Sequence, residues 1–369
     1  MSQTGGSRSS GAPSRANIVD VAQRAGVSVA TVSRALRGMG NVSAQTRERV
    51  VRAADELAYT ASPLASGLVT GRIRSVGVVA PYAGRWFFAE VLRGIEGALR
   101  ERGYDLVLHV LADAPGRARF FRELPLRRRV DAVAVVALPL TPRELEVLRG
   151  LGVPLVSVGE TLDRVHAEVI DNVAAARIAV DHLINLGHHR IAMIGGDGGP
   201  EGFVVPGLRA QGYREALESA GLPVHLRWQL DGRYTPRGGE QAMTALLSRP
   251  GGRPSAVFCQ SDEMAFGALR ALRHSGLRCP DDVSLAGMDD HELAETFDVT
   301  TVAQPVAEQG AAAANWLIEE LDRTAGNGPG AARTLPESEA GSHANGEVGD
   351  RRHPVRLVLR GSTAPARAD

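Results

Sequence analysis

The chain has 369 residues, 44% of them hydrophobic but only 4% aromatic, which bounds it to two or three globular domains with ample core. Ten arginines against four acids in residues 1–74 give a head of +6 and leave −6 on the remainder, since the formal net charge is zero, and the chain contains no lysine. No apolar run approaches the roughly eighteen residues of a membrane span, Met1 to Ala16 lacks the apolar core of a signal peptide, and Cys259 and Cys279 are too few for a disulfide framework or a zinc site, so the expected compartment is the cytoplasm.

Residues 1–16, rich in Ser and Gly, read as a disordered tail. From Asn17 to Arg34 follow a short helix, a turn at Gly26 where positive φ is cheap, and a second short helix that Ser28 can cap. Val21, Val27 and Val32 form an apolar wedge, leaving Val29, Ala30, Ser33 and Arg34 to face outward. That is the layout of a helix-turn-helix whose second helix enters the DNA major groove, with an ordinary αα-hairpin as the alternative. Ser43 can cap a third helix, on which Val50, Ala53, Ala54 and Leu57 fall on one stripe. Ser62 and Pro63 then open a segment, 62–73, whose eight or so helix-competent residues include Gly67 and are too few to hold a helix alone in water.

From Ser75 the pattern alternates between strand and helix. Strands are expected at Val76–Ala80, Asp105–Val110, Asp131–Ala137, Pro154–Val158, Arg190–Ile194, near Trp228, at Ala256–Gln260, Val283–Ala286 and Val355–Leu359. Helices are expected at Phe87–Arg102, Asn172–Leu186, Gly207–Ala220, Pro236–Leu247, Glu263–Ser275 and Gln304–Leu321. Such alternation implies parallel sheets with helices on both faces, in two tandem units at this length. Residues 324–353 are rich in Gly, Pro, Ala and Glu without periodicity and read as a disordered loop.

Taken together, DVAQRAGVSVATVSRAL, VSAQTRERV and AADELAY resemble the LacI/GalR family of bacterial transcription regulators, and the resemblance continues to Arg360-Gly361-Ser362-Thr363. It implies an N-terminal all-α helix-turn-helix head (17–61), a hinge that becomes helical on DNA (62–73) and an α/β two-lobed, periplasmic-binding-protein-like core of two Rossmann-like subdomains (74–369) that also dimerises. It implies that Val29, Ala30 and Arg34 read bases, and that Asn17, Ile18, Ser28, Ser33, Asn41, Ser43 and Thr46 touch or approach phosphates. Leu68 matches the hinge leucine that wedges into the minor groove. Arginine suits a guanine edge and small apolar groups suit a thymine methyl. Arg37 stands where the family often has Asn, and Ala61-Ser62 replaces the usual Pro-Asn ahead of the hinge.

For the body, the resemblance places Phe87, Phe88, Arg209, Tyr234, Ser261 and Asp289 on a cleft between lobes, where aromatic rings stack on a sugar or base and Arg209 with Asp289 brackets its polar edge. Gly159 and Ser261 depart from the polar residue and the Asn frequent there. The loop after Ile194 fails both the dinucleotide and the P-loop pattern, and neither Asp289-Asp290 nor His182, His188 and His189 make an informative acid–base or metal set, so no cofactor is expected. The expected protein is a repressor acting as a homodimer on a pseudo-palindromic operator, not an enzyme, controlled by a sugar or, alternatively, a nucleobase or nucleoside. No heptad pattern follows Arg360, so the tetramerising extension of some members is not expected. A transporter's solute-binding protein would share the body but not the head.

Overall fold

The computed structural model describes residues 16–36, 42–57, 59, 72–196, 202–250, 252–326 and 349–367. They divide into two compact units, Met1–Ile73 and Arg74–Asp369. Asn41, Leu68, Arg37, the tail to residue 15, most of the 62–73 segment and residues 327–348 lie outside the described residues.

Among the described residues the first unit holds three helices, α1 (Ile18–Ala25), α2 (Val29–Leu36) and α3 (Ala44–Glu56). Asn17 caps α1 by accepting from the backbone N–H groups of Val19 and Asp20, while Asp20 accepts from the N–H of Asn17 at 2.8 Å, a reciprocal capping box. Gly26 ends the helix at φ 64°. Ser28 Oγ accepts from Thr31 N, and Ser43 Oγ from Thr46 N, each at 3.2 Å. Val21, Val32 and Val50 are fully buried with Ala22, Ala25, Ala35, Ala53 and Ala54, so one valine from each helix meets at the centre. Val27, expected in the wedge, is only half-buried at its edge.

The second unit has two six-stranded sheets. The first lobe contains β1 (Ser75–Ala80), β2 (Asp105–Val110), β3 (Ala132–Val136), β4 (Leu155–Val158) and β5 (His166–Ile170), with helices α4 (Trp86–Glu101), α5 (Ala114–Glu123) and α6 (Pro142–Arg149). The second contains α7 (Asn172–Asn185), β6 (Ile191–Gly195), α8 (Val205–Ser219), β7 (Gln229–Asp231), α9 (Pro236–Leu247), β8 (Ala256–Cys259), α10 (Asp262–His274), β9 (Ser284–Asp289), α11 (Leu293–Thr296) and β10 (Thr300–Ala303). The chain then returns to the first lobe for α12 (Val306–Gly326) and β11 (Arg351–His353), and to the second for β12 (Arg356–Val358). Sheet orders are β11-β5-β4-β3-β1-β2 and β12-β10-β9-β8-β6-β7, parallel throughout except β12 against β10.

The fold thus matches the expected pair of parallel sheets, with corrections at particular elements. The last strand expected at Val355–Leu359 is β12, and a further strand, β11, precedes it in the other sheet, separated by Pro354, which cannot donate to a ladder. The expected loop 324–353 is wrong at both ends. The helix runs on to Gly326, and β11 is pinned by Glu168, which accepts from His353 Nε2 at 2.6 Å and His166 Nε2 at 3.0 Å. Gln304 lies before α12, not within it. The histidines weighed as metal ligands serve the C-terminal segment instead: His182 meets Thr363 Oγ1 and His188 meets the Ala364 carbonyl, each at 3.0 Å. Among the described residues no group of His, Cys, Asp or Glu could hold a metal ion.

Candidate functional site

In the head, α2 presents Val29, Ala30 and Arg34 on its exposed face, with Ser28 exposed and Ser33 half-exposed beside them. Arg34 Nε folds back to donate to the Ala30 carbonyl at 3.2 Å, so it must let go to reach a base. Asn17 and Ser43 are exposed at the N-termini of α1 and α3, where free N–H groups and the helix dipole favour a phosphate. Thr46 is half-buried, and Ile18 packs against the head's own core.

In the body, all six sequence-chosen residues, Phe87, Phe88, Arg209, Tyr234, Ser261 and Asp289, lie on the wall of one cleft of about 470 Å³. It opens at the C-terminal ends of both sheets, where α/β folds gather ligand contacts. Gly159 and Glu160 follow β4, Asn172 follows β5, Ser261 follows β8 and Gln304 follows β10. Two of the three chain crossings between lobes pass beside it, those that carry Asn172 and Gln304.

Arg209 is 5% exposed and organises the polar side. Its Nε donates to Asn172 Oδ1 at 2.9 Å, Nη1 donates to the Gln260 carbonyl, and Nη1 lies 3.8 Å from Asp289 Oδ1. Gln304 Nε2 donates to the same Asp289 oxygen at 2.6 Å, and Gln309 Nε2 donates to Gln304 Oε1 at 3.4 Å. Tyr234 donates to Gln260 Oε1 at 2.7 Å, and Gln260 Nε2 donates to the Pro206 carbonyl at 3.1 Å. Burial pushes Asp289 up to about 6 against the opposing pull of Arg209. Behind it Asp262, fully buried, accepts from His291 N and Thr301 Oγ1 at 2.9 and 2.8 Å, and burial raises it well above the carboxylate range. Those bonds brace Asp289 and Asp290, whose φ values of 120° and 60° are costly for non-glycine residues.

On the apolar side Phe87 and Phe88 meet edge to face at 5.4 Å. Gly159 sits at φ 83°, and a Cβ there would come within 3.0 Å of the Phe87 ring. Glycine at this departure from the family pattern is thus what lets Phe87 stand in the cleft. Trp86 of the first lobe stacks on His291 of the second at 5.0 Å, a ring contact joining the two walls.

Sequence reasoning missed Asn172, Gln304, Gln309, Glu160 and Glu263. Asn172, Glu160 and Gln304 stand just beyond strand ends, Glu263 in the first turn of α10 and Gln309 in α12, where a polar residue carries no periodic signal; only their position after an apolar run could have flagged the first three. Burial alone pushes Glu160 up to about 7, from a carboxyl that ionises near 4.5 when free. The unfolded chain therefore sheds this proton near pH 4.5 while the folded chain keeps it to about 7, so stability falls as pH rises across that window. Glu160→Gln is expected to raise unfolding free energy at pH 8 by about 2–3 kcal/mol but hardly at pH 4.5, in urea titrations at the two pH values; equal effects at both would contradict it.

Comparison with known proteins gives two family matches. Residues 17–62 match the bacterial regulatory proteins of the lacI family, and residues 180–363 match a periplasmic binding protein-like domain. The HTH-type transcriptional repressor CytR of Escherichia coli (strain K12) is 34% identical, over 94% of this chain and 96% of its own. Among solved structures, the lac repressor dimer bound to operator and the anti-inducer ONPF superposes with a TM-score of 0.78 at 25% identity, covering 95% of this chain and all of that one. A complex of the transcriptional regulator CelR with cellobiose gives 0.67 at 32% identity, covering 94% and 100%.

Proposed function

Because the chain belongs to the LacI family of bacterial regulatory proteins, we propose that it represses transcription as a homodimer on a pseudo-palindromic operator, under control of a small molecule held in the cleft between its lobes. The observation that carries the reading is the cleft: a buried Arg209–Asp289 pair and the rings of Phe87 and Phe88, with groups from both lobes lining one cavity. Rings of that kind cover the C–H face of a sugar, and the charged pair takes its hydroxyls. The relative solved with cellobiose supports a sugar over a nucleobase. The ligand is bound and released unchanged, since among the described residues the wall offers polar recognition but no nucleophile with an oriented base, and the regulator works in the cytoplasm.

Coupling follows from geometry. A ligand touching both lobes has different affinity for their open and closed arrangements, and about 1–3 kcal/mol of difference suffices for regulation. The 62–73 segment passes that change to the head, where its folding on DNA sets Leu68 to wedge the minor groove. Two-fold protein symmetry calls for a two-fold site.

Selection of bound sequences from a random DNA library by the full-length protein tests this. A roughly palindromic motif with a central CpG-type step is expected, and its occupancy should change with the sugar that binds the cleft; absence of any enriched motif with and without sugars would refute the repressor reading. On that site Arg34→Ala should cost about 1–3 kcal/mol and relax preference at one base pair per half-site. A uniform loss across all sequences would make Arg34 a phosphate contact instead.

A further inference from the structure

Among the described residues, two carboxylates on the cleft wall form no ion pair, and the only cation acting on either is Arg85, at longer range, on Glu263. Glu160 follows β4 in the first lobe, and Glu263 stands in the first turn of α10 in the second, so each wall supplies one. Glu160 is 8% exposed, and among the described residues neither side chain makes a hydrogen bond or an ion pair. Each of the three arginines of the wall has a closer partner than either glutamate. Arg209 is held by Asn172, Gln260 and Asp289. Arg233 lies 3.6 Å from Asp231, and the Arg85 guanidinium sits over the Tyr82 ring at 3.7 Å.

An unpaired carboxylate in such a place is costly, and when ionised it can only accept hydrogen bonds. A neutral hydroxyl would supply one donor and leave the charge. An ammonium supplies three donors and cancels it. The aromatic rings of Phe87, Phe88 and Tyr82 on the same wall suit a ring compound. Resting on the reading of this cleft as the effector site, we propose that the effector is an amino sugar whose ammonium group is taken by Glu160 and Glu263.

Burial pushes both carboxyls up to about 7; for Glu263 the charge of Asp289 adds to this and Arg85 opposes it. The arriving ammonium makes both ionise, so binding releases protons and weakens as pH falls below about 7. Because the two acids belong to different lobes, the same cation draws the walls together, which gives the ligand its preference for the closed arrangement.

Calorimetry on the full-length protein with matched pairs tests this: glucose with glucosamine, galactose with galactosamine, and cellobiose with fully deacetylated chitobiose. In at least one pair the amine should bind ten-fold tighter or more at pH 7.5, with heat at pH 6.5, where the amine is already protonated, that varies with the buffer's ionisation enthalpy, and affinity that drops at pH 6. Glu160→Gln and Glu263→Gln should each erase most of that preference while the ligand-free variants melt no lower than the parent. A neutral partner that binds as tightly as its amine overturns the inference and leaves the sugar reading standing. An amine preference that survives both substitutions overturns the assignment of the two residues. Silence from every pair, in protein that binds its selected operator, overturns the inference together with the sugar reading.

Discussion

Arg209→Met is expected to lower the unfolding free energy by about 3–5 kcal/mol at pH 8, since it strips one partner from a buried charged pair. The substitution leaves the Asp289 carboxylate without its cation and removes a donor from Asn172 and from the Gln260 carbonyl. Asp289 already stands near 6, so at pH 5 it takes a proton and the loss shrinks. Arg209→Met combined with Asp289→Asn should recover part of the loss at pH 8, because the stranded charge goes with its partner. Urea titrations of the two single variants and the double variant at both pH values check the case. Equal losses at pH 5 and pH 8, or strict additivity, would mean that Arg209 acts by packing and not by charge.

Gly94→Ala is the second large effect. A Cβ on Gly94 would stand 1.9 Å from the Ala307 carbonyl oxygen, and one on Gly310 would stand 2.3 Å from that of Val91. The two helices, α4 and α12, therefore cross with backbone against backbone, and a carbonyl inside a helix cannot retreat. The cost falls at or above the top of the usual overpacking range, about 3 kcal/mol. Gly97→Ala in the same helix is the control: nothing lies within 4 Å of its Cβ position, and it should gain about 0.5–1 kcal/mol from helix propensity. The crossing also sets the cleft, since Phe87 and Phe88 open α4 while Gln309 precedes Gly310 in α12. A Gly94 variant that folds should consequently bind its effector more weakly. Thermal unfolding of both variants decides the matter, and similar midpoints would contradict the close crossing.

Much of this was legible in the sequence for reasons of periodicity. The head declares itself by caps and a glycine at fixed spacing, and each of Asn17, Gly26 and Ser43 does what its chemistry suggests. Apolar runs such as Val76–Ala80 give the buried central strands. What stayed hidden is short or half-buried. α5 and α6 run for only ten and eight residues, although Thr141-Pro142-Arg143-Glu144 carries a capping box that would have marked the second. β5 and β10 include Glu168, Thr300 and Thr301, polar residues buried by particular partners that no local pattern foretells. The six chosen cleft residues came from likeness to a family. The want of an ion pair at Glu160 and Glu263 came only from the packed structure, because an acid's lack of a close partner is a fact about everything around it.

The three crossings between lobes also decide when the molecule can finish folding during synthesis. β1 to β5 leave the ribosome early, yet the helix that covers α4 is complete only at residue 326 and the last strand of their sheet only at 353, about 160 and 180 residues later. At a usual rate of 5–20 residues per second that is a delay of about 10–40 s. Through that interval the early lobe exposes the apolar face on which Ala313, Ala314, Leu317 and Ile318 will settle. A nascent chain stalled near residue 300 should therefore be held by chaperones and cut readily by protease, and release past residue 367 should end both.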